Sequence, residues 1–126
     1  MYNTFVSTQP TNYMTDAKIS ADYVLVLTTL PLDADTAGFA RSLVDERLAA
    51  CVNLLPAMES VYRWEGRIEQ ETERQVVIKT TRERTAELWD RVREMHPYEV
   101  PEFVVVPILD GNEAYLRWIG ESTRDA

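Results

Sequence analysis

His96-Pro97-Tyr98-Glu99-Val100-Pro101-Glu102 gathers the single histidine of the chain, a phenol and two carboxylates into one short segment. Imidazole combined with carboxylate or thiolate suits copper or zinc. A histidine in a last helical turn is equally at home without a ligand, because its charged form complements the helix dipole and the following proline is an ordinary stop. On spacing alone the helix-end role carries more weight. Cys51 is the one cysteine. Its plain reading is a small buried hydrophobe, and a metal or redox role would need an accessible thiolate. Lys79 stands in an apolar run, where it can meet an anion, pair with an acid, or mark the exposed end of a strand. Tyr62 and Trp64 flank a hairpin tip and read as interface anchors. Trp89 shares a helical apolar stripe and reads as core. The chain has no GxGxxG, no Walker loop, no HExxH and no CxxC. One histidine gives one candidate for imidazole acid–base chemistry and no evident nucleophile beside it, so the sequence does not read as an enzyme.

The elements that must position these groups follow from hydrophobic patterning. Tyr23–Thr29 is almost continuously apolar and β-rich, as a central or doubly covered strand is. Pro31 stops it, and Asp33 or Asp35 can cap a helix that carries Ala37, Ala40, Leu43, Val44 and Leu48 at helical steps. Cys51–Tyr62 is extended, with Pro56 marking an edge, a bend or a bulge. Trp64-Glu65-Gly66-Arg67 reads as a hairpin turn, since Gly66 takes positive φ at no steric cost. Ile68–Glu73 is a polar return arm and Arg74–Thr80 a third strand. A second helix runs from Thr81 or Arg82 to Met95, with Thr85, Leu88, Trp89, Val92 and Met95 on its apolar side. Pro97 ends it. Phe103–Leu109 is a fourth strand, Asp110-Gly111-Asn112 a turn, and Glu113–Glu121 a short closing helix bearing Tyr115, Leu116, Trp118 and Ile119.

The order β-α-β-β-α-β with right-handed crossovers gives a four-stranded sheet with two helices on one face. The fold class is therefore α+β, a ferredoxin-like sandwich with an extended β-hairpin and a short C-terminal helix. The face without helices is apolar in places and predicts burial by another subunit.

Length and composition bound the function. The 126 residues make one domain, hydrophobic residues are 45% and charged residues 27%, ordinary values for a globular chain. Residues 1–20 read as a flexible tail and 21–126 as a single domain, with Met1 and Met14 both possible starts. No apolar run approaches the roughly 18 residues of a membrane span. A net charge of −8 argues against nucleic acid and against an anionic membrane surface. One cysteine forbids an intrachain disulfide, and a cytoplasmic location is the expectation.

Five segments occur in order: Ala49-Ala50-Cys51-Val52-Asn53, Tyr62-Arg63-Trp64-Glu65-Gly66-Arg67-Ile68-Glu69, Ile78-Lys79-Thr80, His96 through Glu102, and Tyr115-Leu116-Arg117-Trp118. Together they closely resemble the CutA divalent-cation tolerance family, over about Tyr23 to Ser122. The resemblance implies a ferredoxin-like fold in a homotrimer similar to the trimers of the PII signalling proteins, with Tyr62, Trp64 and Trp118 at the interface. It implies a role in tolerance of divalent cations, with Cu(II) or another divalent ion as the bound species. Cys51, His96 and Glu99 fall on family positions and become the expected metal ligands. Trp64, Glu65, Lys79 and Tyr98 also do, and are expected to line a crevice between subunits. Two further readings compete: a PII-like module holding a small anion near Lys79, and an anchoring trimer in which the same motifs only specify assembly.

Overall fold

The computed structural model describes residues 21–124, so the expectations for the tail and for the starting methionine lie outside the described residues. Strand β1 is Tyr23–Pro31, helix α1 Thr36–Asp45, β2 Cys51–Trp64 and β3 Arg67–Thr81. A 3-10 turn at Arg82–Arg84 leads into α2, Thr85–Met95, followed by β4, Val104–Pro107, and α3, Glu113–Ser122. The sheet is antiparallel in the order β2-β3-β1-β4. That is the order two βαβ units produce when the second inserts its strand beside the first, and it is the ferredoxin-like arrangement expected from sequence.

Strand alternation divides the sheet cleanly. Val24, Val26 and Leu30 of β1 and Val76 and Ile78 of β3 point to one face and pack with Phe39 and Leu43 of α1 and Leu88 and Val92 of α2. All are buried, and burying an aliphatic or aromatic side chain of this size contributes about 1.5–3 kcal/mol. The α1 stripe differs from the expected one: Phe39 and Leu43 face the core, while Ala37 and Val44 are exposed. Asp35, of the two candidates, caps α1, its Oδ1 accepting from the Gly38 N–H at 3.0 Å. Trp89 is only half-buried. It lies against Phe103, ring centroids 4.9 Å apart, with the Arg93 guanidinium over its face, so it seals the rim of the core and does not fill its centre.

The hairpin arm is one continuous strand. What sequence divides into a polar arm and a strand is a single β3, because backbone pairing with β2 runs unbroken from Ala57↔Arg74 to Trp64↔Arg67 whatever the side chains. The register shifts between Leu54 and Ala57, around Pro56, which lacks the donor a regular ladder needs. Glu65 (φ 50°) and Gly66 (φ 79°) form the two-residue turn, the left-handed pair that matches strand twist.

The second face is partly covered. Helix α3 lies over its Tyr23–Lys79 end: the Lys79 ammonium sits over the Tyr115 ring, Ile119 is fully buried, and the Gly120 backbone approaches Tyr23. Arg84, buried at 6% exposure, holds the end of α3 through an Nε–H bond of 2.6 Å to the Thr123 carbonyl. The rest of that face is open. Trp64, Val104 and Trp118 are each more than two-fifths exposed.

Candidate functional site

The open face carries a groove of about 820 Å³ where the hairpin arm meets the loop between α2 and β4. Its floor follows from the period of two along β3. Glu69, Glu71, Glu73 and Gln75 project to the same side, opposite Tyr62, Ser60 and Met58 of β2. Glu99 and Glu102 enter from the loop, and Glu65 and Trp64 close the hairpin end. Six glutamates therefore line the groove against one arginine, Arg67, which pairs with Glu69 at 3.5 Å. That imbalance makes it a place of negative potential.

The loop is held by His96. The residue is 7% exposed, and both ring nitrogens are used inside the chain. Nδ1 accepts the Tyr98 backbone N–H at 3.0 Å, which leaves Nε2 to donate to the Thr29 carbonyl, 2.5 Å away. The imidazole and the Tyr98 ring pack at 4.8 Å between centroids. Tyr98 is thereby aimed at β3, where its hydroxyl donates to the buried Glu73 carboxylate at 3.3 Å. Burial first, and then the negative charges of Glu73 and Glu71, push the Tyr98 phenol up to about 12. Tyr62 is raised for the same kind of reason, desolvation first and the neighbouring Glu71 second. Gln75 completes the scaffold, its amide donating both to the Thr28 carbonyl (2.7 Å) and to Glu102 (3.1 Å).

The residues expected from sequence separate into two groups. Tyr98, Glu99, Trp64 and Glu65 line this groove together with Tyr62. Cys51 and Lys79 face each other at the opposite end of the sheet, where Cys51 Sγ lies 3.9 Å from Asn53 Oδ1. Lys79 pairs with Leu25 and Gln75 with Thr29, so Cys51 and the Thr29–His96 contact are four rungs apart along the strands, about 13 Å, and two strands apart across the sheet. Within one subunit Cys51 and His96 do not converge. Among the described residues no three His, Cys, Asp or Glu side chains come together closely enough to hold a metal ion. Trp118 is exposed on α3, away from Trp64 in sequence and element. Sequence reasoning misses Glu69, Glu71 and Glu73 as a set. Their signal was present as a glutamate at every second position of a strand, but the arm reads as a solvated polar stretch until its face is known.

Comparison with known proteins agrees with this architecture. The family model described as CutA1 divalent ion tolerance protein matches residues 24–122. The divalent-cation tolerance protein CutA of Thermus thermophilus is 44% identical over 99 residues, covering 79% of this chain and 96% of that protein. A CutA homolog of Xenopus laevis is 41% identical over 106 residues, 84% of this chain and 70% of its own. Among solved structures, CutA1 from Oryza sativa superposes with a TM-score of 0.79 at 38% identity, covering 86% of this chain and all of that one. Similarity of this extent, in sequence and in fold, means that the chain belongs to the CutA1 divalent ion tolerance family.

Proposed function

We propose that the protein acts as a homotrimer that binds divalent cations, Cu(II) among them, in the response to such ions, and that the carboxylate groove is where they are met. The observation that carries the reading is the surplus of six glutamates over one arginine on the part of the sheet face that α3 leaves open. Carboxylate oxygens are good donors for divalent ions, and the local potential concentrates cations there before any ligand bond forms. One subunit supplies no three-donor cluster among its described residues. The reading therefore has donors from two subunits, or carboxylates and water, completing the coordination sphere. Glu99 is the sequence-expected ligand that already faces the groove. Cys51 can join only across a subunit boundary. His96 joins only by giving up a bond to Thr29 or to Tyr98.

The same face supports the assembly part of the reading. The apolar residues α3 leaves open, Trp64 and Val104 among them, are of the kind a neighbouring copy buries. Native mass spectrometry of metal-free protein with one equivalent of Cu(II) per chain tests both parts. The expected result is a trimer carrying discrete coppers, with uptake reduced in Glu71→Gln/Glu99→Gln. A trimer with only scattered weak adducts, or a double variant with unchanged uptake, overturns the metal site. A monomer overturns the assembly.

A further inference from the structure

A second crevice, of about 440 Å³, lies at the other end of the sheet between the start of β1, the β3–α2 junction and the end of α3. Tyr23 pairs with Thr81 there, whereas Thr29 pairs with Gln75 beside the carboxylate groove. Six rungs separate the two places, about 20 Å. Arg82, Arg117 and Arg124 all line this crevice. Elsewhere most arginines are engaged: Arg91 with Glu46, Arg93 with Asp90, Arg67 with Glu69, Arg74 with the Leu55 carbonyl. The side chains of these three make no hydrogen bond or ion pair among the described residues, although Asp22, Glu83 and Glu121 line the same crevice.

Arg41, Arg47 and Arg63 also make no ion pair among the described residues; what sets Arg82, Arg117 and Arg124 apart, in a chain of net charge −8, is that all three line one crevice. Each guanidinium offers a planar fork of donors that matches the two oxygens of a carboxylate or phosphate. The three acids cancel the formal charge of the lining, so the crevice is no diffuse basic patch that collects any anion. Only a ligand that sets several oxygens directly against the forks gains there. The volume lies within the range of small-molecule sites. The crevice is also built on fixed parts: Arg82 N–H donates to the Asp22 carbonyl at 2.9 Å, and Arg84 beneath it ties Thr123 to the α2 start.

We infer that the Arg82–Arg117–Arg124 crevice is a binding site for a small multi-oxygen anion, a phosphate or a dicarboxylate, separate from the cation-binding groove. The test is isothermal titration calorimetry of the full chain with inorganic phosphate and, in a second arm, with succinate, at constant ionic strength with chloride as the background anion. The expected result is saturable binding of at least one of them, one per chain, weakened about tenfold or more for each arginine removed in Arg82→Gln and Arg117→Gln, as loss of a charge-assisted bond predicts. Arg41→Gln, an exposed arginine on α1, should bind like the parent. The arm that saturates identifies the source of the oxygens. Saturation by neither, or equal affinity in the double variant Arg82→Gln/Arg117→Gln, overturns the site. Circular dichroism of each variant separates lost binding from lost fold, and Arg117, exposed on α3, gives a variant that keeps it.

Discussion

Replacing His96 with alanine tests the claim that this side chain is a structural clasp. Two bonds disappear, the one to the Thr29 carbonyl and the one from the Tyr98 N–H. Thr29 is 6% exposed, so its carbonyl is left without a replacement from solvent. Stranding a buried polar group costs about 1–3 kcal/mol. The Tyr98 amide, half-buried, costs less, and the lost ring contact adds about 0.5–1.5 kcal/mol. The sum is on the order of 3 kcal/mol. Equilibrium urea unfolding at fixed protein concentration is the assay, since association would otherwise move the midpoint. His96→Asn can keep the acceptor for Tyr98 and His96→Gln the donor to Thr29, so each should lose about half as much. A loss of under about 0.5 kcal/mol in His96→Ala, the range of ordinary surface substitutions, would refute the clasp. If that variant were stable yet lost copper, His96 would be a ligand and not a clasp.

Four further outcomes are expected. The Tyr98 phenol, at about 12 in the folded protein, should stay protonated while the unfolded chain ionises near 10. Tyr98 therefore makes stability fall as pH rises between about 10 and 12, and tyrosinate absorbance in Tyr98→Phe against the parent checks it. Arg84→Met strands the Thr123 carbonyl and should cost about 1–3 kcal/mol, with amides of α3 losing hydrogen-exchange protection first. Gly66→Ala meets no atom within 4 Å but must hold φ +79°, so a cost of about 1–2 kcal/mol should appear without any clash, read by thermal unfolding. Trp64→Ala removes an exposed aromatic from the hairpin end, and if Trp64 anchors a neighbour it should shift assembly toward monomer at low concentration in analytical ultracentrifugation.

Much of the fold was legible because its signals are local. Gly66 announced the hairpin, Pro56 the bulge, Asp35 a cap and Pro97 the end of α2. The continuity of β3 was hidden, since backbone pairing keeps a strand going through Glu69–Glu73 with no apolar pattern to report it. Phe39 is not legible as core in the sequence, because Ala37, Val44 and Phe39 cannot all face the sheet and only the placement of α1 decides among them.

The sequence by itself determined the order of elements, the helical and open faces of the sheet, and five motifs in register with one family. These depend on periodicity and turn chemistry, which act over a few residues. Tertiary structure alone decided which motif residues share a site. It separated Cys51 from His96 and turned both His96 nitrogens inward. It also set Glu69, Glu71 and Glu73 against Tyr98 and Glu99, and brought Arg82, Arg117 and Arg124 to one crevice. The reason is geometric: such convergence depends on strand register and helix placement, which join residues far apart in the chain.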